Sequence, residues 1–446
     1  MDRGLALVLL AAVLCSAASI AIHYPPLRIG YKLNDFGIQY SDIVNGIFLD
    51  RFSPQLPLNP SKLQTEWFNP SKLLSLLSGE PVCPAPYIDY LFEYPPLVGG
   101  LWFATTCLSI ELAFGKGVQP LEVSNAIRRA ADINFLIQSS ILSACFVALS
   151  AVLYKLLRRL GRDWRRAVLL SVLPSSVMYL AYNWDAIVAL LAVLAISSFA
   201  SERYLRSGLC VGLAIATKIL GYALAIAMLY ELVQRAFKEG SLDSLKRFCI
   251  GLAAGCGVPF LALAAAAPQG LFAMFSHAAS WYCENCIYLP FIRSPTSPAL
   301  HIVALSVTAV AMLAVLAPSM RGLECVSRVS FLAMCVAILF SYIFAPQMWL
   351  ELSPLAMLAL SSRELKLFVA GDVLNAGIML AFFKDVDLRA LLLPYVPGMS
   401  LRFDPWSLSS PVQWIAMARN VVLLFVWASC LASTYSRCRW ERYPNT

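Results

Sequence analysis

Long apolar runs separated by short polar segments set the pattern of this chain. Crossing a bilayer as a helix takes about 17–25 predominantly apolar residues. Runs of that kind lie at 4–22, 133–154, 248–267, 299–317, 328–345, 366–383 and 418–435, with shorter ones at 167–182, 185–200 and 347–360. Each predicts a helix. The first is read as a retained span, because its apolar run is long for a signal peptide and its basic flank is only Arg3.

Two stretches need their flanks to be interpreted. The segment 155–166, "KLLRRLGRDWRR", holds six Lys/Arg and marks a cytoplasmic loop. A full crossing by 95–114 would put that cluster outside, so 95–114 is predicted as a helix at or dipping into the outer interface. Its opening "YPPL" suits this, since proline begins a helix but does not continue one. The stretch 207–233 is basic at both ends, too short for two spans and long for one. Two short helices meeting near Lys218 as a broken hairpin resolve it, with irregular backbone tolerated where it is buried or lines a cavity.

The map is an all-α polytopic membrane protein of about twelve passes with both ends inside. It is a single unit over 1–446, with a first span at 4–22, an extracytoplasmic loop with juxtamembrane helices at 23–130, and the remaining spans at 131–435. Composition agrees: 59% of the 446 residues are hydrophobic and 13% charged, with mean hydropathy +0.70, against roughly half and a quarter in soluble chains. The net charge of +8 fits loops that set orientation and no nucleic-acid face, which would need a solvated surface.

This map sorts the chemistry to the outer side. Asp42 follows the first span closely enough to fold back onto the membrane, where a carboxylate can deprotonate a hydroxyl, orient an acceptor or hold a metal. Asp35 and Asp50 read as loop residues. "DYLFEYPPLVGGLW" brings Glu93 and Tyr94 to the surface, and "AYNWDAIV" puts Asn183 and Asp185 in an outer turn where Asp185 could equally cap a helix. Lys218 is an intramembrane cation, a functional candidate by its cost, or the partner of an interior carboxylate such as Asp372. "WYCENCIYLPFIR" carries Trp281, Tyr282, Glu284 and Arg293 around one C-x-x-C, which lacks the second pair of a zinc site. Cys83, Cys283 and Cys286 are external and allow one disulfide with one thiol left over, the pairing open. Most other cysteines read as small buried hydrophobes. Gln347 starts a late outer helix after Pro346. No phosphate-cradling glycine loop, H-E-x-x-H or G-x-S-x-G occurs, so ATP-driven chemistry is not expected.

The order of an apolar first span, "YSDIVNGIFLD", "YPPL", "LAIATKIL" and "FAPQMWLELSP" resembles the GT-C glycosyltransferases, integral-membrane enzymes that use polyprenyl-phosphate sugars. The first-loop motif is similar to that of the GPI-anchor first mannosyltransferase family. "YPPL" and the "PQ…L…P" stretch look like the GT87-type polyprenol-phosphate-mannose transferases. The resemblance spans roughly 30–360. Where some relatives carry Asp-x-Asp this chain has Asp42-Ile43-Val44, which disfavours a divalent cation and fits a metal-independent base.

The resemblance implies a GT-C-like bundle with Asp42 as catalytic carboxylate and no cofactor firmly expected. A polyprenyl-phosphate-linked sugar, mannose as the best guess, would pass to a lipid or glycan acceptor hydroxyl. Lys218, Arg293, His277 and Arg402 are candidates to clamp the donor phosphate. Tyr40, Tyr94, Trp281 and Tyr282 would line sugar or lipid, with Glu93, Asp185, Glu284 and Gln347 meeting hydroxyls. An archaeal or bacterial cell membrane is the expected location, with the site on the extracytoplasmic face. The alternatives are a transporter or flippase of lipid-linked saccharide, or a non-catalytic assembly subunit on the same scaffold.

Overall fold

The computed structural model describes residues 2–24, 38–53, 60–292, 294–396 and 398–438. Asp35 and Arg293 lie outside the described residues. The described chain is helical, with isolated bridges such as Glu284↔Ile343 and no strand among the described residues. Among them, nine helices are long and apolar enough to cross a membrane, and two shorter apolar ones span Asp185–Ala200 and Tyr204–Thr217. This is a multi-pass helical membrane protein.

Most apolar runs fall inside one helix each: Arg3–His23, Val123–Arg159, Ala299–Leu316, Ser362–Phe382 and Pro411–Arg437. The run 248–267 belongs to a continuous helical stretch, Asp243–Ala266. Three expectations shift. The run 328–345 is helical over Gly322–Leu339, and its last residues form a loop ending at Pro346. The run 167–182 is two helices, Arg165–Val172 and Pro174–Tyr179, because Pro174 has no N–H to continue the first and is preset to start the second. The stretch 95–114 forms one 19-residue helix, Pro96–Phe114, itself long and apolar enough to cross.

The break at Lys218 is present. Helix Tyr204–Thr217 stops with Lys218 in an extended conformation, a single 3-10 turn follows, and Tyr222–Glu239 continues. Glycines set how closely the first of these packs. A Cβ at Gly208 would stand 2.1 Å from the Phe248 carbonyl oxygen, and one at Gly212 would stand 2.7 Å from Leu252 O and Cys256 N. Gly251 and Gly255 face back with the same intolerance, at 2.0 Å from Leu205 O and 2.5 Å from Leu209 O. Small residues spaced by four let two backbones touch, which is how helices gain packing where lipid supplies no hydrophobic drive.

Cysteine usage differs from expectation. Among the described residues there are three disulfides, Cys83–Cys107, Cys283–Cys286 and Cys325–Cys438. Cys83 is therefore not the leftover thiol. Its partner sits on helix Pro96–Phe114, where apolar neighbours make a thiol look like filler. Cys283 and Cys286 bond to each other and close the C-x-x-C turn.

Candidate active site

Asp42 opens a short segment with widened, π-helical turns, Asp42–Phe48. Ile43, Val44, Ile47 and Phe48 are buried and anchor one side of it, and the Asn45 side chain accepts from the Ser41 amide at 3.0 Å. Such turns are uncommon and frequent at functional sites. The anchoring leaves the Asp42 carboxyl half-buried at the wall of a cavity of about 940 Å³.

Amide donors hold that carboxyl. Asp42 Oδ2 accepts from Asn183 Nδ2 at 2.9 Å and from Gln347 Nε2 at 3.3 Å, and the Tyr182 hydroxyl adds a further hydrogen bond. The same Asn183 amide reaches the Tyr94 hydroxyl at 2.9 Å. Burial pushes the Asp42 pKa up to about 7, the Asn183 bond opposes that rise, and the charge of Glu284 adds to it. A carboxylate of this affinity exchanges a proton near neutrality, as a general base should.

Glu284 stands on the other side, accepting from Trp281 Nε1 at 2.9 Å, with its own pKa raised chiefly by burial. The loop that carries it is pinned three ways. The Cys283–Cys286 bridge brackets it, Glu284 N donates to Tyr342 O at 3.0 Å, and its carbonyl accepts from Phe344 N at 2.8 Å. Asn285 takes a left-handed backbone, φ 52°, which asparagine tolerates better than most residues.

A cluster of charge forms the rim. Arg51 is buried and bonds Glu66 at 2.7 Å, Glu93 at 3.0 Å and the adjacent Asp50. His277 Nε2 lies 3.9 Å from Glu93. Aromatic walls complete the space: Tyr40, Tyr94, Trp281 and Tyr282 with Phe403 and Trp406. Trp281 and Tyr282 stack, and Trp406 stands edge-on to Tyr282.

The cavity thus brings together Tyr40, Asp42, Glu93, Tyr94, His277, Trp281, Tyr282, Glu284 and Gln347 of the residues singled out from sequence. Lys218 and Asp185 are elsewhere. Lys218 Nζ donates to Asp185 Oδ1 at 2.5 Å and lies 3.8 Å from Glu351, all three side chains buried. Asp372 is not its partner, and takes the Ser175 amide instead at 3.2 Å. Arg402 is exposed on an outlying loop and does not line the cavity.

Sequence reading missed Arg51, and of the Asn183/Asp185 pair it named Asp185 for the site where Asn183 is the one that reaches Asp42. Asp50, read as a plain loop residue, lines the cavity beside Arg51. It also missed Arg419, wholly buried behind Asn285, which donates to Asn375 Oδ1 at 2.8 Å and to Asn285 O at 3.3 Å and stacks 3.5 Å over Phe344. Among the described residues, no group of three or more His, Cys, Asp or Glu is placed to hold a metal ion. No protein-family model matches the chain, and no curated protein is significantly similar to it.

Proposed function

We propose that the protein is a membrane-embedded glycosyltransferase of GT-C type. It moves a sugar, mannose in our reading, from a polyprenyl-phosphate donor to a hydroxyl of a lipid-linked or glycan acceptor. The observation that carries this reading is the Asp42 carboxyl, held by Asn183 and Gln347 at the wall of a large aromatic-lined cavity, with a pKa near neutrality. Aromatic faces suit the apolar faces of sugar rings, and Glu93 and Glu284 supply acceptors for hydroxyl groups.

In the proposed step the acceptor hydroxyl gives its proton to Asp42 while its oxygen forms a bond to the anomeric carbon. The bond from that carbon to the phosphate oxygen breaks, and polyprenyl phosphate leaves with the electron pair. One displacement at carbon inverts its configuration. Lys218 is committed to Asp185 and Glu351 and Arg51 to Asp50, Glu66 and Glu93, so His277 on the cavity wall is the better-placed donor to meet the phosphate oxygens.

Basic loops argue for about twelve passes and a site on the extracytoplasmic face. Cys83–Cys107 and Cys283–Cys286 fit that side, since disulfides persist in oxidising compartments. In this topology Cys325–Cys438 faces inward. Intracellular disulfides occur among hyperthermophilic archaea and bacteria, which fits the archaeal or bacterial cell of our reading.

The test is transfer of radiolabel from polyprenyl-phosphate mannose to a crude lipid or glycan acceptor fraction, using purified protein in liposomes. Transfer by wild type that is lost in Asp42→Asn, with donor binding retained, supports the reading. Equal transfer by both moves the base to Glu284 or Glu93. No transfer from any of several sugar donors returns the flippase and assembly-subunit readings.

A further inference from the structure

At the basic end of the helix bundle, away from Asp42, a second recess of about 590 Å³ opens where helix Arg165–Val172 meets the start of Ser362–Phe382. Arg162, Arg165, Arg166 and Lys366 line it against a single carboxylate, Asp163. Two of these cations are built into the fold. Arg162 donates to Leu360 O at 2.6 Å and Ala359 O at 3.3 Å, and Arg166 donates to Leu360 O at 2.7 Å and Met357 O at 3.1 Å. Those acceptors are carbonyls at the end of helix Trp349–Ala359, so the guanidinium groups are held rigidly without a full counter-charge.

The cations crowd one another, while the start of helix Ser362–Phe382 is already capped by Ser361 and Glu364 and adds no free positive end. Burial, with the charges of Arg166 and Arg328, pushes Arg162 down to about 10. An anion in the recess would relieve that crowding. Arg165 and Lys366 are exposed and reach the same space, and they are the side chains free to close on it.

The remaining wall decides what kind of anion fits. Leu169, Leu365 and Val369 line the recess. One turn further along the same helices, Val172 is 59% and Val373 56% exposed. Residues three or four apart share a helix face, so an apolar stripe leads from the basic pocket along the lipid-facing side of the bundle. A soluble anion has no use for that stripe, whereas a phospholipid uses both parts.

We propose that this recess binds an anionic phospholipid, its phosphate between Arg165 and Lys366 and its acyl chains along the stripe past Val369 and Val373. Basic pockets between membrane helices hold headgroups in this way. The site is separate from the Asp42 cavity, and its occupation does not depend on the sugar-transfer reading.

The test uses the full-length chain, delipidated in a neutral maltoside detergent. It is titrated with dihexanoyl phosphatidylglycerol, dihexanoyl phosphatidylcholine or inorganic phosphate, with thermal stability as the readout of binding. Phosphatidylglycerol is expected to bind saturably and phosphatidylcholine about 10-fold or more weakly. Arg165→Gln/Lys366→Gln should weaken phosphatidylglycerol by about 10-fold or more, since both cations near the headgroup are lost. Ser362→Asp, at another exposed position on the recess, should weaken it too and gives a second variant. Three results would each overturn the proposal: equal binding of the two lipids, unchanged affinity in both variants, or inorganic phosphate displacing the lipid at equal concentration.

Discussion

The side-chain amide of Asn183 donates to Asp42 Oδ2 and to the Tyr94 hydroxyl, each at 2.9 Å. Its own oxygen accepts from the Trp184 backbone amide at 2.6 Å, which fixes which end of the amide points at the carboxylate. Asn183 is thus a positioning residue for Asp42. Asn183→Ala should lower sugar transfer roughly 10- to 100-fold, the range of a hydrogen bond to a charged group. A merely structural residue would leave the pH profile in place. Here the bond holds the Asp42 pKa down, so its loss should move the acid limb of the pH–rate profile to higher pH.

Glu284 acts on the same group with the opposite sign. Its negative charge raises the Asp42 pKa, and a base must be ionised to work. Wild-type transfer should climb with pH up to about 7 and then level. Glu284→Gln should move that rise to lower pH. Steady-state rates across pH 5–9 for wild type and the two variants check both directions, and a common profile in all three would remove Asp42 from the rate law.

The raised Asp42 pKa also affects stability. A carboxyl whose folded pKa lies above its unfolded value holds its proton in the fold after the unfolded chain has lost it. The stability it contributes is present below the unfolded value, near 3.8, and is lost as pH rises through about 7. Asp42→Asn keeps the shape and removes that loss. Its melting temperature in detergent should exceed that of wild type at pH 8 and converge with it near pH 4.

What could be read from residues alone, and what could not, divides along physical lines. The break at Lys218 follows from local quantities, namely run length and basic flanks, and it appears at that residue. Most long helices follow for the same reason. Choosing Asn183 over Asp185 was not local. Both sit in one turn, and the choice depends on Trp184 between them, which is buried with its Nε1 donating to Gln138 at 2.7 Å. Arg51 was hidden because its partners Glu66 and Glu93 come from distant parts of the first loop. Cys107 was hidden because a bonded cysteine in an apolar helix has the same letter and neighbours as a packed one.

The glycine crossing gives a prediction independent of activity. Gly212→Val places side-chain atoms where Leu252 O and Cys256 N stand 2.7 Å from the would-be Cβ. Backbone cannot swing aside as a flexible side chain can, so the helices must part. A loss of 1–3 kcal/mol or more, in the range of overpacked cores at about 1–3 kcal/mol, should show as a lower melting temperature. Gly257→Ala is the control, since its nearest neighbour would be the Ala253 Cβ at 4.0 Å, and it should be neutral or nearly so.

The buried group Lys218, Asp185 and Glu351 supports the strongest stability prediction. Helix Tyr204–Thr217 ends in order to deliver Lys218 to two carboxylates that belong to helices Asp185–Ala200 and Trp349–Ala359. The residue therefore joins three elements, and the 3-10 turn after it is the geometry that allows the reach. Removing one member of a buried ionic group leaves an uncompensated charge and costs about 3–5 kcal/mol, whereas replacing the whole group by neutral residues of similar size is often tolerated. Lys218→Met alone should sharply lower the melting temperature and yield. Lys218→Met with Asp185→Asn and Glu351→Leu should recover most of it. None of its members touches the cavity, so the triple variant should also keep sugar transfer, with the acid limb of its pH profile moved to higher pH because the Lys218 charge holds the Asp42 pKa down. A triple variant that folds as wild type but has lost transfer at every pH would make Lys218 a positioning residue of the site.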